Sequence, residues 1–193
     1  MLLNYSSPQS DWEDPMGSPP VPAAPNAYRA ALSRLKAPAE FGLLMDGFCR
    51  LLSNPHAAEN TWLPNSQIGL QNQEEMLVLF WHCAEGNRAF RAYACSQGAG
   101  PSRINRITAT VLYFLAHNRK VEAKVGQLHI CVFILLLLSG ERQWAIGLNE
   151  AYPGDMRIDV PDFTGCYADL LLLVFQVRPS SDSLSSLFVR NAY

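Results

Sequence analysis

The chain of 193 residues is 49% hydrophobic and only 17% charged, with a net charge of −2 and a pI near 6.1. Its fifteen Lys and Arg form no basic run, so the electrostatic footprints of a nucleic-acid binder and of a polybasic membrane patch are both missing. The low charge fraction suggests surface covered by something else, including more of the same protein.

Met1-Leu2-Leu3-Asn4 has neither the basic start nor the long apolar stretch of a secretory signal, and Leu2 stands where N-myristoylation needs Gly. Residues 1–38 hold seven of the thirteen prolines, which disfavours helix and predicts a flexible or extended arm. Trp12 among Asp11, Glu13 and Asp14 reads either as a docking motif or, preferably, as a solvated acidic segment. From Ala39, the residues Phe41, Leu44, Met45, Phe48, Cys49 and Leu52 recur at helical spacing, and Asn54-Pro55 is the expected stop. After a loop centred on "TWLPNSQIG", a second helix is apolar nearly all round from Met76 to Cys83, a pattern that predicts cover on several sides.

Asn87 is the predicted cap of a short third helix, because its side-chain oxygen can accept from free N–H groups of the first turn. Ser102 is placed to cap a fourth, striped by Ile104, Ile107, Val111, Leu112 and Leu115. A fifth helix is expected from about Arg119 to Ser139, with Gly140 as its stop. Glu141 to Thr164 then reads as one long, functional connection. Thr164 is the expected cap of the last helix, and a weakly patterned Ser-rich tail follows. The pattern predicts an all-α fold, an irregular stacked helical array of the armadillo or HEAT kind. It divides the chain into an arm at 1–38, a helical domain at 39–178 and a tail at 179–193.

Nine apolar residues run unbroken from Ile130 to Leu138. A membrane-spanning helix needs about 20, and Glu122, Lys124, Glu141 and Arg142 close the run on both sides. A buried core helix is therefore the preferred reading over an interfacial or spanning one. His129, with apolar neighbours one turn away, is expected to be a core histidine. The five cysteines, widely spaced in apolar stretches, read as reduced thiols. His82 and Cys83 are adjacent on a helix and point apart, which argues against a catalytic dyad. Asp155, Asp159 and Asp162 fit no cation loop and read as a solvated acidic loop. Phosphate-binding, zinc-protease and nucleophile-elbow motifs are absent. No catalytic, cofactor-binding or metal-binding residues are assigned.

"VLFWHCAEGNRAFRAYA", "VGQLHICVFILLLLSGER" and "GLNEAY…DVPDFTGCYADLLLLVF" resemble the high-temperature-induced dauer formation protein family, relatives of dymeclin. "EDPMGSPPVP" (Glu13–Pro22) is similar to its more N-terminal part. The chain is far shorter than a full member, so a fragment or truncated form is expected, and beyond Gln176 it does not look like the family. The resemblance implies a wholly helical, non-enzymatic protein, cytoplasmic and peripherally attached to Golgi membranes. It implies a scaffold in trans-Golgi traffic and in cargo sorting to dense-core vesicles, without cofactor, nucleic acid or small-molecule substrate. The alternatives are a soluble helical enzyme with an unrecognised site and a membrane-inserted protein anchored by residues 125–138. Protein partners are expected at the connection 141–164, where Arg142, Trp144, Tyr152 and Arg157 are the hot-spot residue types. For Trp144 and Tyr152 the competing role is to pin that loop to the helices.

Overall fold

A computed structural model describes residues 26–59, 72–96, 102–154 and 163–176. Trp12, the "TWLPNSQIG" loop, the acidic residues Asp155, Asp159 and Asp162, Arg157 and the tail lie outside them. Among the described residues there are eight α-helices: α1 (Ala27–Arg34), α2 (Pro38–Glu59), α3 (Gln73–Gly86), α4 (Arg88–Cys95), α5 (Arg103–His117), α6 (Val125–Ser139), α7 (Arg142–Gly147) and α8 (Tyr167–Gln176). The protein is all-α. Its long helices form two rows, α2–α5–α8 and α1–α3–α6, and the rows meet where α2 packs on α3 and α5 on α6. The short α4 and α7 bridge between them.

The amphipathic stripes fall where the spacing puts them. Phe41, Met45, Phe48, Cys49 and Leu52 of α2 are buried, with Leu44 half-buried. Along α5 every residue from Ile107 to Leu115 is buried, as is Ile104. The aromatic centre is edge-to-face: Phe48 and Phe80 lie 5.2 Å apart and Phe41 and Phe90 5.7 Å apart, which joins α2, α3 and α4.

Four local expectations change. Residues 27–34 of the presumed arm form α1, because the Asn26 side chain accepts from the N–H groups of Tyr28 and Arg29 at 2.9 and 3.2 Å. Helix α2 continues past Pro55 to Glu59, although an interior proline removes one N–H donor and crowds the carbonyl four residues back. The stretch before α6 is two 3-10 turns, Asn118–Lys120 and Glu122–Lys124, rather than α-helix. The last helix is capped at Cys166, not Thr164, since the Asp169 carboxylate accepts the Cys166 N–H at 2.9 Å.

Asn87 does more than cap α4. Its oxygen accepts the Phe90 N–H at 3.0 Å, while its amide donates to the carbonyls of Leu32 and Leu35 at 3.0 and 2.9 Å. One buried side chain thus closes the start of α4 and the end of α1. Asn87→Ala should lower stability by about 2 kcal/mol in urea unfolding, from a lost cap and two lost carbonyl partners. Asn87→Asp keeps the acceptor but not the donors, so amide exchange should quicken in α1 and not in α4.

All five cysteines are free, and Cys49, Cys83, Cys95 and Cys131 are buried. Burial pushes the thiols up, to about 11 for Cys83 and about 12 for Cys95 and Cys131. In the unfolded chain they ionise near 9.0. Their contribution to stability is therefore complete below about pH 9 and is lost as pH rises toward about 12. Urea midpoints should fall across that window, and fall less steeply in a Cys95→Ala/Cys131→Ala variant. At neutral pH a thiol reagent should modify half-buried Cys166 first, the others only on unfolding.

Candidate partner-binding surface

The expected long connection is not a loop throughout. Glu141 is held at 2.7 Å by Arg91, whose guanidinium also donates to the Ala84 carbonyl, so the start of the segment is clamped to α4 and α3. Helix α7 follows at once. Gly147, at its end, accepts from the buried Asn105 amide at 2.8 Å, and the same amide donates to Glu150 at 2.8 Å. Ala151 and Cys166 form an antiparallel bridge, with Tyr152 N–H donating to the Gly165 carbonyl and Ala168 N–H to that of Leu148. The connection is therefore pinned at both ends. Gly154 turns it with φ +71°, a conformation that favours glycine.

This framework separates the four residues expected to bind partners. Trp144 is in the core: its indole N–H donates to the Thr108 hydroxyl at 3.0 Å, and Thr108 in turn donates to the Ile104 carbonyl. It fastens α7 to α5. Tyr152 is half-buried, its ring 5.4 Å from that of Tyr167 and 6.1 Å from that of Phe163. Arg142 is exposed at the first turn of α7. Arg157 lies outside the described residues. The structure adds Ile146, 46% exposed and one turn from Arg142, so these two share a face of α7. Sequence reasoning missed it because a six-residue helix is too short to show a usable period.

His82 is buried, and its burial, aided by Arg29, pushes its pKa down. The raised Cys83 thiol is the reverse of an activated nucleophile. His129 is not a core histidine: it is exposed on the outer side of α6. The thiol and the backbone N–H of Cys166 hold the Asp169 carboxyl below its ordinary value, as fits a cap residue at a helix start.

The chain matches the family model described as high-temperature-induced dauer-formation protein over residues 1–187. It belongs to the HID1 family. It is 41% identical to mouse protein HID1 and 40% identical to the human protein, in each case over 80% of this chain and 19% of the relative. Protein HID1 of Dictyostelium discoideum is 27% identical over 84% of this chain and 18% of the relative. The chain thus spans about a fifth of the length of these curated relatives. No solved structure gives a significant match. The family match runs past Gln176, where the resemblance had been expected to stop.

Trp144→Ala should cost about 3–5 kcal/mol in urea unfolding, the scale of a buried aromatic truncation. Arg142→Ala should change stability by less than about 0.5 kcal/mol, as an exposed residue does. Equal effects of the two would contradict this division of roles.

Proposed function

We propose that this chain is part of a non-enzymatic scaffold of trans-Golgi vesicle traffic. It acts in the sorting of cargo to dense-core vesicles and is held peripherally on the cytoplasmic side of Golgi membranes. Membership of the HID1 family carries this reading. A fission-yeast relative, 26% identical over 80% of this chain, is named a Ubp5-interacting protein, which supports a role in binding proteins. The physical mechanism is recognition by a rigid stack of helices, with binding residues on pinned connections between them. Arg142 and Ile146 on α7 are the contact residues this reading favours, with protein partners of the trafficking machinery and no cofactor.

One observation favours a second reading. The window Glu122–Ser139 is long and apolar enough to cross a membrane by length and composition, although a third of it is buried within the fold. Membrane flotation of the tagged chain, followed by an alkaline carbonate wash, separates the two. Flotation with Golgi markers and release by the wash is the expected result. Recovery in the soluble fraction would remove membrane attachment from this segment. Resistance to the wash would mean that α6 is inserted.

A further inference from the structure

The outer faces of α2 and α5 meet in a charged patch that the packing does not require. Arg103 donates to the Asp46 carboxylate at 2.9 Å, which joins the two helices at their surface, and these side chains stay 49% and 61% exposed. Leu43 and Arg50 are each one turn from Asp46 along α2, and Arg106 is one turn from Arg103 along α5, so the five residues share this surface. Cys49 lies beneath it. Its thiol donates to the Arg103 carbonyl at 3.4 Å, and while burial raises its pKa, the charges of Arg106, Asp46 and Arg103 also act on it. Arg50 and Arg106 are exposed, and among the described residues neither has an ion-pair partner. Leu43 is 76% exposed, the most of any large hydrophobic side chain described. Arg103 and Arg106 stand in the first turn of α5, which holds no acidic residue. Cations at a helix start oppose the helix dipole, so folding does not favour this placement.

We propose that this patch is a contact surface for an anionic lipid bilayer, with Arg50, Arg103 and Arg106 on the headgroup phosphates and Leu43 in the interface. It rests on the peripheral membrane attachment proposed above and names the residues that make it. Charge complementarity carries the assignment: three arginines and one aspartate make a positive patch on a chain whose net charge is −2. The arginines come from two helices, so no basic run in the sequence marks them. The outer faces of packed helices form a ridge, and an apolar side chain protruding from a ridge between cations suits a bilayer surface better than a peptide that needs a groove.

The test is flotation of the purified full chain with vesicles of phosphatidylcholine alone and of phosphatidylcholine mixed with phosphatidylserine. The chain should bind the mixed vesicles only. Each arginine changed to Gln should weaken binding about fivefold, the share of one cation near an anionic surface, and Arg50→Gln/Arg103→Gln/Arg106→Gln should abolish it. Arg50→Lys/Arg103→Lys/Arg106→Lys keeps the charges and a partner for Asp46, and should bind as the natural chain does. Leu43→Ser, at a position too exposed to disturb the fold, should weaken binding, and Lys120→Gln/Lys124→Gln should not. Failure to bind the mixed vesicles would overturn the proposal, as would equal binding by the triple Gln variant. Loss of binding in the triple Lys variant would overturn it too, because headgroup attraction needs the charge and not the guanidinium fork. If the chain fails on vesicles yet floats with Golgi membranes from a cell lysate, a protein holds it there, and the peripheral reading stands while this one falls.

Discussion

The burial of α5 on all sides is the constraint on which the array depends. Nine consecutive residues, Ile107 to Leu115, are buried in a single helix, and α2, α4, α6, α7 and α8 all pack on it. A helix so enclosed cannot leave a polar group unpaired without a cost of about 1–3 kcal/mol. Most of its buried side-chain polar groups are accordingly paired, although Asn105 Oδ1 is not. Thr108 and Thr110 donate to the carbonyls one turn back, at 2.8 and 3.0 Å. Thr108 also accepts the Trp144 N–H, and Asn105 holds the end of α7. The apolar side chains of α5 give the stack its adhesion, and Asn105 and Thr108 fix where α7 docks.

The same logic decides how the apolar run of α6 is used. Gln127 is fully buried, between Asn118, which donates to it at 2.9 Å, and Gln73. That places amides of α3 and α6 and the turn after α5 in one small buried network. Nearby, Gly126 lets the Glu74 carboxylate approach the first turn of α6: a Cβ on residue 126 would lie 2.6 Å from it. A carboxylate is favoured at a helix N-terminus. Ile130, Cys131, Ile134, Leu135 and Leu138 fill the core behind these contacts. The inner side of α6 is thus built for protein, with hydrogen-bonding partners that hydrocarbon could not offer.

Much of this was legible in the sequence, and the exceptions share a cause. The stripe of α2 was readable because polar residues mark its outer face, and that of α5 because Ile104, Ile107, Val111, Leu112 and Leu115 keep helical spacing, although burial extends beyond that stripe. Asn87 was readable because caps act over three residues. Helix α6 has no polar stripe from Ile130 to Leu138, so its period says nothing about facing, and His129 is outside for a reason only the packing shows. For Trp144 the sequence left two roles open, because residue-type statistics for interfaces are also satisfied by a core tryptophan with a partner for its N–H, and the packing agrees with the pinning role. Helix α1 was hidden by the prolines before it, although Asn26 is a good cap in retrospect. Asn87 ties that helix down from 52 and 55 residues away, a link no local pattern contains.

The exposed apolar residues carry the last step. In a soluble fold with one closed core they would be scattered, and single exposed hydrophobics mean little. Here most of them fall on the helices that end the rows, apart from Ile146 on the bridging α7 and Val121 before α6. Tyr28 lies on α1 and Leu43 and Leu51 on α2 at one end; Phe133, Leu136, Leu172 and Phe175 lie at the other. The central α3 and α5 have none. That distribution is the mark of a stack whose units bury surface only against their neighbours, so that each end presents the face the next unit would cover.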